Sequence, residues 1–216
     1  MGREFELKYR ADAQTIEKIQ EKFGDFTPIS METSYYDTTD SDFARRRWTL
    51  RRRWENGVGV CTLKTPAADG SRCEWEVPCD DIRSGIELLC KLGAPKELTQ
   101  LAENGLALSC GARFTRLAKA IDLGDAVVEL ALDNGVFLAG GKEEPFAEVE
   151  AELKDGSEEA VLLFAARLAR EFALEVQPLS KHARAMLLIA SPCGEVARQS
   201  RDEGVTCSFS PLRQLR

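Results

Sequence analysis

Several short stretches of the chain place charged residues at every second position with apolar residues between them. In EFELK, Glu4, Glu6 and Lys8 alternate with Phe5 and Leu7, and in LRRRW, Arg51 and Arg53 alternate with Leu50, Arg52 and Trp54. Lys64 shares a face with Thr62 in VCTLK, and RCEWEV sets Arg72, Glu74 and Glu76 against Cys73, Trp75 and Val77. Further along, FTRLAKAI offers Arg116, VVELALD offers Glu129 and Asp133, and AEVEAEL offers Glu148, Glu150 and Glu152. Carboxylates are the ligands of hard cations such as Mg²⁺ or Mn²⁺, while arginine and lysine suit phosphate oxygens, so the two sets together describe a metal-polyphosphate site. No glycine-rich phosphate loop stands in the sequence to hold a polyphosphate otherwise.

A period of two is that of an extended strand with two unlike faces. Two arrangements satisfy it. An open antiparallel sheet would pair the charges across strands in water, and periodicity alone fits this well. A sheet curled on itself, with helices over its apolar outside, would turn the charges into one lumen. Charge in such a lumen is costly unless paired or bound to ions, so the curled arrangement implies a ligand. Helices are expected over ADAQTIEKIQEKFG, DDIRSGIELLCKLG, PKELTQLAENGLAL, SEEAVLLFAARLAREFAL and SKHARAMLLIA, from apolar spacing and from glycines that stop the first two.

Composition removes several function classes. At 216 residues, 44% apolar and 30% charged, the chain suits one well-buried domain. Its net charge of −7 opposes wrapping a nucleic-acid backbone or an anionic membrane. The run RRRWTLRRRW interleaves arginine with tryptophan as single-strand binders do, but strand periodicity already explains it. Seven cysteines without a C-x-x-C pair indicate neither a disulfide framework nor a zinc cluster. The single histidine, His182, excludes H-E-x-x-H metalloproteases and is expected as a solvated helical residue rather than a catalytic base. A cytoplasmic protein is expected, since no run approaches the roughly 20 apolar residues of a membrane span. The expected domain is 1–190, with 191–216 as a poorly ordered tail.

These motifs, in this order, resemble the CYTH-domain proteins, or triphosphate tunnel metalloenzymes, and most of all the bacterial inorganic triphosphatases. E-x-E-x-K is present as Glu4, Glu6 and Lys8. YYDT at Tyr35 to Thr38, L-R-x-R at Leu50 to Arg53, TLK ending at Lys64 and R-x-E-x-E at Arg72 to Glu76 are similar too. So are FTR ending at Arg116, ELALDNG with Asp133, EVEAEL, and LSKHAR, whose Lys181 matches the family's late lysine. The resemblance implies an α+β fold: an eight-stranded antiparallel β-barrel with a charged lumen and helices packed outside. It implies that Lys8, Arg51, Arg53, Lys64, Arg72, Arg116 and Lys181 hold a triphosphate. It further implies Mg²⁺ or Mn²⁺ on carboxylates drawn from Glu4, Glu6, Glu74, Glu76, Asp133, Glu148, Glu150 and Glu152. In that reading Glu4, Glu6, Glu148 and Glu150 hold one metal, a second metal near Asp133 acts on the attacking water, and Lys8 stands as a catalytic residue. The expected activity is metal-dependent cleavage of tripolyphosphate. Alternatives are thiamine triphosphatase or class IV adenylate cyclase activity in the same tunnel, or a non-catalytic polyphosphate- or nucleotide-binding module. The expected partner is a triphosphate-containing small molecule, with no nucleic acid or membrane, in a monomer or homodimer.

Overall fold

The computed structural model describes residues 5–67 and 72–190. Glu4 and the expected tail at 191–216 lie outside the described residues. In chain order the elements are β1 (Glu6–Arg10), α1 (Ala13–Phe23), β2 (Thr27–Thr38), α2 (Asp42–Arg45), β3 (Thr49–Glu55), β4 (Val58–Pro66) and β5 (Arg72–Pro78). Then follow α3 (Ile82–Lys91), α4 (Glu97–Glu103), β6 (Leu106–Asp122), β7 (Ala126–Ala139), β8 (Lys142–Gly156), α5 (Glu158–Phe172), β9 (Glu175–Val176) and α6 (Lys181–Ala190).

The strands form one antiparallel sheet in the order β5-β4-β3-β2-β6-β7-β8-β1-β9. The α+β architecture expected from the sequence is present, with two differences. The sheet has nine strands, the ninth a two-residue edge on β1, and among the described residues no ladder joins β5 to β1 or β9. The sheet is therefore curled but not closed: the free edge of β1 that would meet β5 is taken by β9, which pairs Val176 with Tyr9 and Glu175 with Arg10.

Which face turns outward follows from where apolar area can be covered. Tyr9, Val128, Leu130, Leu132, Val149 and Ala151 pack under α1 and α5, with Ile16, Ile19, Val161, Phe164 and Leu168 opposite them. Leu50, Cys61, Leu63 and Val77 pack under α3 and α4 in the same way. Each such aliphatic or aromatic side chain gains about 1.5–3 kcal/mol by burial, far more than an exposed ion pair returns, so the apolar face goes under the helices. Phe5 and Leu7 join the first of these cores, which leaves Glu6 and Lys8 on the concave face.

The helix α6 departs from the expected outside layer. Ala185 and Leu188 pack with Met31, Tyr35, Ala112, Phe114, Phe137 and Phe146. Those strand residues share the parity of the charged ones, so α6 enters the concavity and fills one end of it. Local caps explain the other boundaries. Asp12 accepts from Thr15 N at the start of α1, Asp81 from Ser84 N at α3 and Ser157 from Ala160 N at α5. The helix read through PKELTQLAENGLAL stops at Glu103, because Gly105 turns the chain at φ 102° into the long β6.

Candidate active site

Residues from both ends of the sheet line one cavity of about 730 Å³. Its basic wall comes from neighbouring strands: Arg51 and Arg53 on β3, Lys64 on β4 and Arg72 on β5. Register explains the clustering, since Arg51 lies opposite Thr62, Thr49 opposite Lys64 and Lys64 opposite Glu74. Lys64 Nζ is 3.3 Å from Glu74, Arg51 is 3.7 Å from the same carboxylate, and Arg53 Nη2 is 3.4 Å from Glu76. Arg72 donates to Thr49 Oγ1 at 3.2 Å and to the Arg47 carbonyl at 3.3 Å. Glu74 and Glu76 therefore sit within the basic wall as its partners. Burial pulls the Arg53 pKa down and the neighbouring Arg51 pulls it further, against Glu55 and Glu76. A cation penalised in this way is stabilised by an incoming anion.

The acidic wall faces it from β1, β7 and β8. Glu6 is paired with Glu152, and Glu152 with Glu129, so three carboxylates form a row across three strands. Their side chains keep 23%, 27% and 28% of their exposure. Lys8 donates to Glu6 at 2.8 Å, and Lys154 lies 2.9 Å from Glu152 and 3.5 Å from Glu129. Burial opposes the charge on Lys8, but Glu6 beside it, with Glu150 and Glu148 beyond, raises its pKa above the ordinary lysine value. Lys8 thus stays an ammonium.

Deeper in this wall lies a more buried ionic layer, joined to the row by Arg116, which lies 3.9 Å from Glu129. Asp133 and Glu148 have no exposure and Glu150 has 7%. Lys181 Nζ, at the first turn of α6, is 2.8 Å from Asp133, 2.5 Å from Glu148 and 2.7 Å from Glu150. Arg184, one turn on, donates to Glu148 at 2.7 Å, while Arg116 forks onto Asp133 at 2.8 and 2.7 Å and also reaches Glu150. Burial pushes the Glu148 carboxyl up to about 7 even with Lys181 beside it. Glu150, although burial opposes its charge too, is held well below the usual carboxylate range by Lys181 and Arg116.

Two carboxylate groups are thus distinguishable as metal ligands. Oxygens of Asp133, Glu148 and Glu150 lie within 4.8 Å of one another, a grouping that could hold a metal ion, but three cations already answer its three charges. The row Glu6, Glu152 and Glu129 opens on the cavity and offers hard oxygen donors met by Lys8, by Lys154 and, 3.9 Å from Glu129, by Arg116, which fits a hard divalent cation.

Of the residues singled out in the sequence, Glu6, Lys8, Arg51, Arg53, Lys64, Arg72, Glu74, Glu76, Arg116, Glu150, Glu152 and Lys181 line this one cavity. Asp133 and Glu148 are buried behind it, and Glu148 lies opposite Arg10 rather than Glu6. His182 is not the solvated helical residue expected. It is part-buried, lines the cavity, and its ring lies 4.8 Å from that of Tyr35, because α6 enters the concavity instead of lying outside it. Sequence reasoning missed Lys154 and Arg184. The first extends the even-numbered face of Glu148, Glu150 and Glu152 by one step, and the second follows Lys181 at helical spacing, so both signals were present.

The sheet thus curls around facing basic and acidic walls, with the cationic first turn of α6 at one end. The CYTH domain model matches residues 2–186, and the chain belongs to the CYTH domain family. It is 28% identical over 197 residues to the inorganic triphosphatase of Haemophilus influenzae, a match covering 87% of this chain and 55% of that protein. The chain thus spans about half the length of the curated relative it matches. Among solved structures, a proposed adenylyl cyclase of Hippeastrum with a dominant triphosphatase activity superimposes with a TM-score of 0.61 at 19% identity, covering 83% of this chain and 93% of that one. A Pyrococcus horikoshii protein superimposes at 0.59 and 24% identity, covering 87% and 99%. These likenesses show that the chain shares the fold of those proteins. Among the described residues no helix is long and apolar enough to cross a membrane.

Proposed function

We propose that the chain is a metal-dependent hydrolase of inorganic triphosphate, releasing phosphate from tripolyphosphate. The observation that carries this reading is the division of one cavity into a basic wall on β3, β4 and β5 and an acidic row on β1, β7 and β8. The family membership and the triphosphatase relative support it.

In this reading Arg51, Arg53, Lys64 and Arg72 hold the phosphate chain, and Lys8 meets it from the opposite wall. Phosphoryl transfer asks the protein mainly for position and charge, and arginines already fixed by Glu74, Glu76 and Thr49 need little reorganisation to meet the charge that develops on displacement. Glu6, Glu129 and Glu152 would hold the divalent cation. Mg²⁺ or Mn²⁺ there would supply neutralisation of phosphate charge and acidify the attacking water. Arg116 and Lys181, tied to the buried carboxylates, shape the cavity floor and contribute a positive field more than a movable contact. Cytoplasmic location belongs to the same reading.

Phosphate release from tripolyphosphate, ATP and thiamine triphosphate, with Mg²⁺, Mn²⁺ or chelator, tests it. Metal-dependent release favouring tripolyphosphate is expected. Preferred turnover of ATP to a cyclic nucleotide, or tight binding of all three without turnover, would replace the proposal by a cyclase or a binding module.

A further inference from the structure

The YYDT stretch has no place yet in the proposed chemistry. Its residues divide by face. Asp37 caps α2, accepting from Phe43 N at 2.9 Å and Ala44 N at 3.1 Å, and Thr38 Oγ1 donates to Asp42 at 2.8 Å. Tyr36 packs outward against the second core. Tyr35 points into the concavity with 4% exposure and is the cross-strand partner of Arg51. The Arg51 guanidinium is close enough to the phenol for its charge to oppose the rise that burial gives the Tyr35 pKa. One face of the Tyr35 ring meets His182 at 4.8 Å between centroids, with the planes 41° apart.

We propose that His182 is a positioning residue for the phosphate clamp: its ring, delivered by the first turn of α6, packs on Tyr35 and so fixes the phenol that orients Arg51. This rests on the reading of the basic wall as the triphosphate site. The delivery is rigid because the residues flanking His182 on α6 are anchored, Lys181 on Asp133, Glu148 and Glu150, and Arg184 on Glu148. An arginine on a flexible stem loses rotamer freedom when it grips phosphate, and one confined beside a locked aromatic ring has less to lose. Burial also pulls the His182 pKa down, with Asp37 opposing and Arg72 assisting, so the ring that meets Tyr35 is the neutral one. The carboxylate that opposes this shift, Asp37, accepts from the α2 backbone at Phe43 N and Ala44 N.

The test combines kinetics with a readout that needs neither substrate nor metal. In His182→Ala the KM for tripolyphosphate with Mg²⁺ should rise on the order of tenfold while kcat falls less, as expected for a clamp that is intact but poorly placed. His182→Phe, which keeps a ring on Tyr35, should restore KM to within about threefold, and Tyr35→Phe should match His182→Ala with little further loss in the double variant. In the ligand-free protein the Arg51 Nε–H signal in a ¹⁵N correlation spectrum should broaden or shift in His182→Ala and Tyr35→Phe and stay near its place in His182→Phe. If the wild-type chain fails to hydrolyse tripolyphosphate, the functional reading fails while the Arg51 signal still reports on the relay. Equal impairment of His182→Phe and His182→Ala would show that the imidazole itself, not its packing, matters. An unmoved Arg51 signal in His182→Ala would overturn the proposal directly.

Discussion

Lys181 Nζ lies 2.8 Å from Asp133 Oδ2, joining α6 to a strand residue with no exposure to solvent. Such a pair serves the position of α6 more than net stability, because removing two charges from water costs most of what their attraction returns. What the pair cannot tolerate is the loss of one member. The consequence is a helix that cannot leave the concavity without exposing Asp133, Glu148 and Glu150 to one another.

Lys181→Met should therefore be strongly destabilising. Breaking a buried pair leaves uncompensated charge and costs about 3–5 kcal/mol, which urea unfolding will show as a lowered midpoint at unchanged slope. Adding Glu148→Gln to it should recover part of the loss by removing one of the stranded charges. A midpoint unchanged in Lys181→Met would show that the remaining arginines suffice.

The Glu148 carboxyl gives the stability a pH signature. Its pKa rises from the ordinary 4.5 to about 7 in the folded protein, so between those values the folded state binds the proton that the unfolded state has released. The contribution is fully present below pH 4.5, falls as pH rises through the window and is gone above about 7. One proton bounds the slope at about 1.4 kcal/mol per pH unit. Glu148→Gln lacks this slope. The difference in unfolding free energy, wild type minus variant, should shrink between pH 5 and 8, and a difference that grows would mean that Lys181 keeps Glu148 ionised.

Within LRRRW, neighbours should behave oppositely. Arg53 lines the cavity, while Arg52 on the outer face lies 5.4 Å over the Trp54 ring. A hydrogen bond to a charged group contributes about 1.5–3 kcal/mol, so Arg53→Ala should lower kcat/KM for tripolyphosphate by roughly 10- to 100-fold. Arg52→Ala should leave kcat/KM within about twofold. Equal effects would detach the basic wall from the substrate.

The alternation in EFELK and AEVEAEL was legible because a period of two is a property of the chain itself, and it separated Glu6 and Lys8 from Phe5 and Leu7 before any fold was known. The pairing of Glu6 with Glu152 and Glu129 was not, because it depends on which distant strands become neighbours. For the same reason the alternation alone did not separate Glu148 from Glu152, four residues apart on one face, and only the resemblance ranked Glu148 first as a ligand, although Glu148 is buried under α6 and Glu152 opens on the cavity. His182 looked solvated because a polar helix start normally is, and only its insertion into a charged concavity reverses that inference. The strand β2 was hidden because only its YYDT end carries a family-like signal, and its inward Met31, Thr33 and Tyr35 alternate without charge.

The two carboxylate groups make opposite predictions for metal binding. If the cation sits on the open row, Glu6→Gln or Glu152→Gln should diminish the rise in melting temperature given by Mg²⁺ or Mn²⁺ plus tripolyphosphate. Each tenfold loss in affinity removes about 1.4 kcal/mol of that stabilisation at saturating concentrations. Without metal the same variants should melt near the wild type, since the Glu6–Lys8 and Glu152–Lys154 pairs are part-exposed and surface pairs contribute little. Glu148→Gln should do the reverse, shifting the metal-free transition while keeping the metal-induced rise. A metal-induced rise that survives in both open-row variants and vanishes in Glu148→Gln would place the ion among Asp133, Glu148 and Glu150, and would require Lys181 to swing out of that cluster as the metal enters.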